Sequence, residues 1–148
     1  MIRKNEQHDG FTLLEIIIVI FLSSLVLGMA TLFFAGTLPS AKLNAAGREV
    51  SAVMRYARSL ARMNAEKKTV IIDLDNRVYG IEGISSKSFP PATQILYFDP
   101  VFGEKNRGKY AIAFHATGGI DGGSVVLSND KKTIRIETDP VTGSVVIK

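Results

Sequence analysis

The chain predicts an α+β protein. A long N-terminal helix, membrane-spanning in its first half and amphipathic in its second, packs on a small antiparallel β-sandwich-like domain. Three observations carry this. No charged residue lies between Glu15 and Lys42, and the stretch from Phe11 to Leu38 is predominantly apolar. From Ala41 to about Ala65, apolar residues recur every three or four positions, the period of a one-sided helix. From Thr69 onward the period becomes two, in short runs separated by turn-forming residues.

The apolar run is long enough to cross a bilayer. At about 1.5 Å per residue, Phe11 to Leu38 spans roughly 42 Å, more than a hydrocarbon core of about 30 Å. Ser24, Gly28, Ala35 and Gly36 are small residues that let another helix approach closely. Pro39 weakens the helix near the end of this run. One carboxylate, Glu15, stands near its start. A carboxylate near the bilayer centre costs roughly 2.5–3.5 kcal/mol on insertion scales and is usually paired or functional.

A new amino terminus can supply the partner. If the chain is cut between Gly10 and Phe11, the amine of Phe11 lies four residues before Glu15, about one helical turn away. Glu15 then meets its own terminal amine or that of a neighbouring copy packed in stagger. A carboxylate in the first turn also complements the positive end of the helix dipole. The expected organisation is therefore a leader over residues 1–10, a transmembrane helix over 11–38, an amphipathic helix over 39–66 and a β domain over 67–148.

Gly10-Phe11-Thr12-Leu13-Leu14-Glu15 followed by an apolar helix resembles the class III signal of type IV pilins and type II secretion pseudopilins. The resemblance implies a cytoplasmic leader removed by a prepilin peptidase after Gly10, N-methylation of Phe11, and an assembly role for Glu15. An ordinary secretory signal fits less well. Arg3 and Lys4 could begin one and Gly28-Met29-Ala30 could end it, but Glu15 would interrupt its apolar core. A plain signal anchor accounts for the length and leaves Glu15 without a role. Glu6 and Asp9 cancel Arg3 and Lys4, but orientation follows Lys/Arg counts rather than net charge.

In the second half of the helix, Leu43, Ala46, Val50, Val53, Ala57, Leu60 and Asn64 form the expected inward stripe. Arg48, Arg55 and Arg62 recur every seven residues on another face, with Arg58 nearby. That face reads either as solvated or as an interface to an acidic neighbour. Seven strands are expected, near 69–74, 77–81, 94–98, 109–115, 123–128, 133–138 and 144–147. Asp75-Asn76 and Asp139-Pro140-Val141-Thr142-Gly143 provide turn chemistry. No internal repeat is expected.

The C-terminal half extends the resemblance. Phe114-His115-Ala116-Thr117-Gly118-Gly119, then Gly122-Gly123-Ser124-Val125-Val126-Leu127, then Thr142-Gly143 before a closing strand is similar to the GspH/FimT-type minor pseudopilins and minor pilins. Tyr56-Ala57-Arg58-Ser59-Leu60-Ala61 is similar to their Ala-Arg pattern on the helix. The likeness implies a low-copy subunit at or near the tip of the periplasmic pseudopilus of a type II secretion system. It implies other minor and major pseudopilins, the prepilin peptidase and the inner-membrane secretion platform as partners. It also implies a single-pass place in the bacterial inner membrane with the C-terminal domain in the periplasm. A minor pilin priming a type IV pilus, related to DNA uptake, is the alternative.

Composition narrows the chemistry. The 148 residues contain no cysteine, which removes disulfides, thiolate metal sites and cysteine nucleophiles. A net charge of +4 falls short of a nucleic-acid footprint, and no nucleic-acid partner is expected. Gly103 to Tyr110 nearly spells a phosphate-binding loop, but Tyr110 stands where Ser or Thr would bind magnesium, and strands flank it. Asp73, Asp75 and Asn76 suggest a calcium loop, but its twelfth position is Ile84. The paired glycines at 118–119 and 122–123 suit positive φ in a loop. His8 falls in the leader, so a processed chain retains His115 alone. A hydrolase built on His115 is the other alternative, without a nucleophile-elbow pattern to accompany it. The expectation is a non-enzyme without metal or cofactor.

Overall fold

The structure, a computed structural model, describes residues 10–148, and the side chains of residues 32–37 lie outside that description. The leader residues Arg3, Lys4, Glu6, His8 and Asp9 therefore fall outside the described residues, and of the small-residue set the surroundings of positions 35 and 36 do too.

Helix α1 runs Leu13–Met63, with Pro39 inside it. It is followed by β1 (Lys68–Asp73), β2 (Val78–Ile81), β3 (Lys87–Ser88), β4 (Gln94–Asp99), β5 (Gly103–Lys105), β6 (Lys109–Phe114), β7 (Ile120–Asp121), β8 (Ser124–Ser128), β9 (Thr133–Thr138) and β10 (Val145–Ile147). The seven expected strands all form. The three additional ones, β3, β5 and β7, are two or three residues long, too short for a period to register in the sequence.

The strands make two antiparallel five-stranded sheets, ordered β3-β2-β1-β6-β7 and β10-β9-β8-β4-β5. The compact unit Leu38–Lys148 combines both sheets with the second half of α1. One core cluster draws Val50, Met54 and Ala57 from the helix, Ile72, Ile112 and Phe114 from the first sheet, and Val125, Leu127 and Ile136 from the second. Tyr97 of β4 stacks on Tyr110 of β6 with ring centroids 4.3 Å apart, joining the sheets.

The inward stripe of the helix differs from expectation at three places. Leu43, Ala46, Val50, Met54, Ala57 and Ala61 are buried, whereas Val53 and Leu60 are half-buried and Asn64 is exposed. The expected stripe advanced 3.5 residues per turn on average. A straight helix advances 3.6, so the inward face drifts off such a seam by about 20° per heptad. Over a few turns that drift hands the core positions from Val53 and Leu60 to Met54 and Ala61.

The second sheet contains a five-residue repeat that the expectation of no repeats missed. Asp99-Pro100-Val101-Phe102-Gly103 joins β4 to β5, and Asp139-Pro140-Val141-Thr142-Gly143 joins β9 to β10. In the first turn, Asp99 Oδ1 accepts the N–H groups of Val101 and Phe102 at 2.8 and 3.0 Å. In the second, Asp139 Oδ1 accepts those of Val141 and Thr142 at 2.8 and 3.0 Å. Both close on a left-handed glycine, with φ of 74° at Gly103 and 68° at Gly143. Since β4 and β9 each run antiparallel to β8, the two turns emerge at the same end of the sheet.

Candidate functional site

The N-terminal site begins with a helix cap. Thr12 precedes the first residue of α1, and its Oγ1 accepts the Glu15 N–H at 3.2 Å. Its carbonyl accepts the Ile16 N–H, also at 3.2 Å. Thr12 is thus the N-cap, and Thr12-Leu13-Leu14-Glu15 has the spacing of a capping box. In a complete box the glutamate reaches back to the cap's own N–H. Here the Glu15 side chain makes no hydrogen bond or ion pair among the described residues, so the carboxylate stands free in the first turn. The sequence reading missed Thr12, although the Thr-x-x-Glu spacing signals it.

Gly10 and Phe11 lie before the helix, and both are exposed. Phe11 therefore lies outside the first turn of the uncut chain. A cap at Thr12 ends helical geometry one residue short of it. The apolar window that follows, Leu13–Thr31, has a mean hydropathy of 2.6, and none of it is buried within the protein. Ile16, Ile20, Leu25 and Val26 are exposed all round the helix. Such a face fits a bilayer or a bundle of similar helices.

A second constellation lies where the helix meets the β9–β10 turn. Arg58 donates from Nη2 to the Thr142 carbonyl at 2.7 Å, and Arg55 donates from Nη2 to the Val145 carbonyl at 3.1 Å. An added Cβ on Gly143 would stand 2.2 Å from the Gly118 carbonyl and 3.0 Å from Arg58 Nε, and one on Gly118 would stand 2.7 Å from Arg62 Nη2. The Ala57-Arg58, Gly118-Gly119 and Thr142-Gly143 motifs are thus parts of one joint. Arg55 and Arg58 hold the protein's own carbonyls, a use that neither a solvated face nor an intermolecular interface anticipated. Of the paired glycines, Gly118 and Gly122 take positive φ as expected. Gly123 serves another purpose: an added Cβ there would meet the Phe98 carbonyl at 1.8 Å, and its N–H donates to the Tyr97 hydroxyl at 2.6 Å. Burial raises the Tyr97 hydroxyl above its ordinary pKa.

The remaining sequence candidates resolve into local structure. His115 Nε2 lies 2.6 Å from Asp121 Oδ2 across the β6–β7 hairpin, and no hydroxyl bonds its ring among the described residues. Asp73 accepts the Asn76 side-chain amide at 2.9 Å and its backbone N–H at 2.8 Å, closing the β1–β2 turn. Those two bonds, the side-chain one foremost, hold its carboxyl below the ordinary range. No group of three or more His, Asp or Glu side chains is gathered as for a metal among the described residues. The stretch 103–110 runs from β5 into β6, with Gly108 N–H donating to Asp75 Oδ2 at 3.1 Å.

Residues 7–31 match the family model described as the prokaryotic N-terminal methylation motif, a span that includes Gly10, Phe11 and Glu15. Over 139 residues the chain is 27% identical to type II secretion system protein H of Xanthomonas campestris pv. campestris, covering 94% of this chain and 82% of the relative. These two findings support a GspH-type pseudopilin. No solved structure matches the chain. The alignment covers 94% of this chain, so the likeness extends well beyond the N-terminal signal. One exposed apolar helix beside such a relative is consistent with a single-pass inner-membrane protein.

Proposed function

We propose that this chain is a pseudopilin, a minor structural subunit at or near the tip of the periplasmic pseudopilus of a type II secretion system. The free Glu15 carboxylate at the start of an exposed apolar helix carries the reading. The chain inserts with residues 1–10 in the cytoplasm and its β domain in the periplasm. The prepilin peptidase cuts between Gly10 and Phe11, and Phe11 is methylated. The helix holds the subunit in the inner membrane until it moves laterally into a filament beside other pseudopilins. There Glu15 meets a terminal amine, and each charge offsets the cost of burying the other. The reading gives the chain no catalytic activity of its own. The relative's printed name favours secretion over piliation.

Intact mass and N-terminal sequencing of the protein from its native host test this. The expected chain starts at methylated Phe11. An intact leader, or a start beyond Ala30, would overturn the assignment. Gly10→Ala should accumulate as uncut precursor. Glu15→Leu should be cut normally but recruited poorly, and normal recruitment would give the carboxylate another role.

A further inference from the structure

The tethers from Arg55 and Arg58 to the β9–β10 segment use only part of the basic surface on the second half of α1. Between Leu38 and Met63 the helix carries five cations, Lys42, Arg48, Arg55, Arg58 and Arg62, against one acid, Glu49. That acid is already engaged by its own domain: it accepts the Tyr79 hydroxyl at 3.1 Å and lies 3.8 Å from Lys87 Nζ. None of the five cations forms a salt bridge among the described residues. Arg48, Arg55 and Arg62 are all exposed, and their seven-residue spacing places them along one side of the helix. Beside that ladder Ala45 and Ala52 are exposed, and so are two large apolar side chains, Tyr56 at 54% and Met63 at 79%. The buried stripe from Leu43 to Ala61 occupies the opposite face.

We propose that this face, centred on Ala52 and edged by Arg48, docks the acidic face of a helix from a different subunit. Charge complementarity selects the occupant. The same face of a second copy would bring Arg48, Arg55 and Arg62 against their own counterparts, with its single acid already occupied, so self-pairing through this face is repulsive. A partner helix with acids at matching three-, four- or seven-residue spacing meets the ladder, and the alanines leave room for close approach. Tyr56 and Met63 then lose their exposure in the contact. The inference rests on the reading of the chain as a filament subunit, and it adds that this subunit is unsuited to repeating against itself through the face.

A photo-activatable cross-linker at Ala52 of the full-length chain, in membranes of the native host, tests it. The expected adduct is to a different subunit, and mass spectrometry should place it on a helical segment with acids spaced in that way. Arg48→Glu should lower the adduct yield at least tenfold, and Arg48→Lys should retain most of it. Arg48 is exposed and makes no salt bridge, so protease resistance of the β domain should be unchanged in both variants. N-terminal sequencing of the same samples separates the two readings. A chain cut at Phe11 that gives no Ala52 adduct, an adduct only with lipid or a second copy, or a yield insensitive to Arg48→Glu overturns this inference alone. An uncut chain overturns the filament reading and this inference with it.

Discussion

The two halves of α1 share a backbone and differ in what surrounds them. Over Leu13–Thr31 the helix is apolar on every side and buries none of that surface within the protein. Over Leu43 to Ala61 one side forms a continuous apolar stripe that is almost wholly buried, and the other side mixes arginines with a few exposed apolar residues. Helix formation alone cannot tell these segments apart. What separates them is the distribution of polarity around the axis. An apolar ring needs a lipid or helical environment from outside, and an apolar stripe needs a core the chain itself provides.

The comparison breaks if the halves respond alike to truncation. Met54 is fully buried in the core cluster, and Met54→Ala should cost the β domain about 2–5 kcal/mol through lost burial and the cavity left behind. Leu22→Ala, in the first half, should leave that domain's stability within about 0.5 kcal/mol. Denaturant unfolding of the full chain in detergent, followed through a β-domain probe, measures both. The reverse experiment introduces a charge. Leu22→Arg near the middle of the apolar window should cost about 2.5–3.5 kcal/mol of insertion and shift the chain out of the membrane fraction. A charge of the same sign already stands exposed at Arg48. Unchanged fractionation of Leu22→Arg would show that the first half does not sit in lipid.

The division between the halves was legible because it is compositional: 26 positions without a charge, then charges on one side only. The seven longer strands were legible for the same reason, since their alternation spans enough residues to count. Val53 and Leu60 pack against the edge of the core rather than within it, because a 3.5-residue step and a 3.6-residue step agree over one turn and diverge over five. The tethering of Arg55 and Arg58 lay beyond the sequence, because their carbonyl partners are 90 and 84 residues away and a backbone carbonyl has no side-chain signature. The repeat Asp-Pro-Val-x-Gly was open to direct reading and was missed because it is only five residues long. Of the N-terminal site, Gly10, Phe11 and Glu15 were visible as a motif, but the cap at Thr12, which leaves Phe11 outside the first turn, is a matter of backbone geometry.

The twin turns repeat the lesson of the helix on a smaller scale. Gly103 and Gly143 have nearly the same φ, so alanine at either should incur the left-handed cost of about 1–2 kcal/mol. An added Cβ at Gly103 meets nothing within 4 Å, whereas at Gly143 it would stand 2.2 Å from the Gly118 carbonyl. Gly143→Ala should therefore be the more damaging, and it should also weaken the Arg58 contact with Thr142. Equal unfolding midpoints for Gly103→Ala and Gly143→Ala would mean that the joint yields freely. The identical local code would then have identical consequences, against the contrast drawn for the helix.

The smallest effect should come from the turn carboxylates, and it should be the same for both turns. The N–H of Phe102, then that of Val101, holds the Asp99 carboxyl below its ordinary range, and the N–H groups of Thr142 and Val141 do the same for Asp139. A carboxyl that binds protons less readily when folded stabilises the fold above its unfolded pKa, near 4. That contribution should fade as pH falls below about 4 through the lowered folded values. Asp99→Asn and Asp139→Asn should each flatten the acid limb of the stability curve by a similar amount, because the two Oδ1 atoms accept the same pair of bonds at the same distances. An acid limb that responds to Asp139→Asn and ignores Asp99→Asn would show that the tertiary clamp at Arg58, rather than the turn itself, sets the carboxyl's environment.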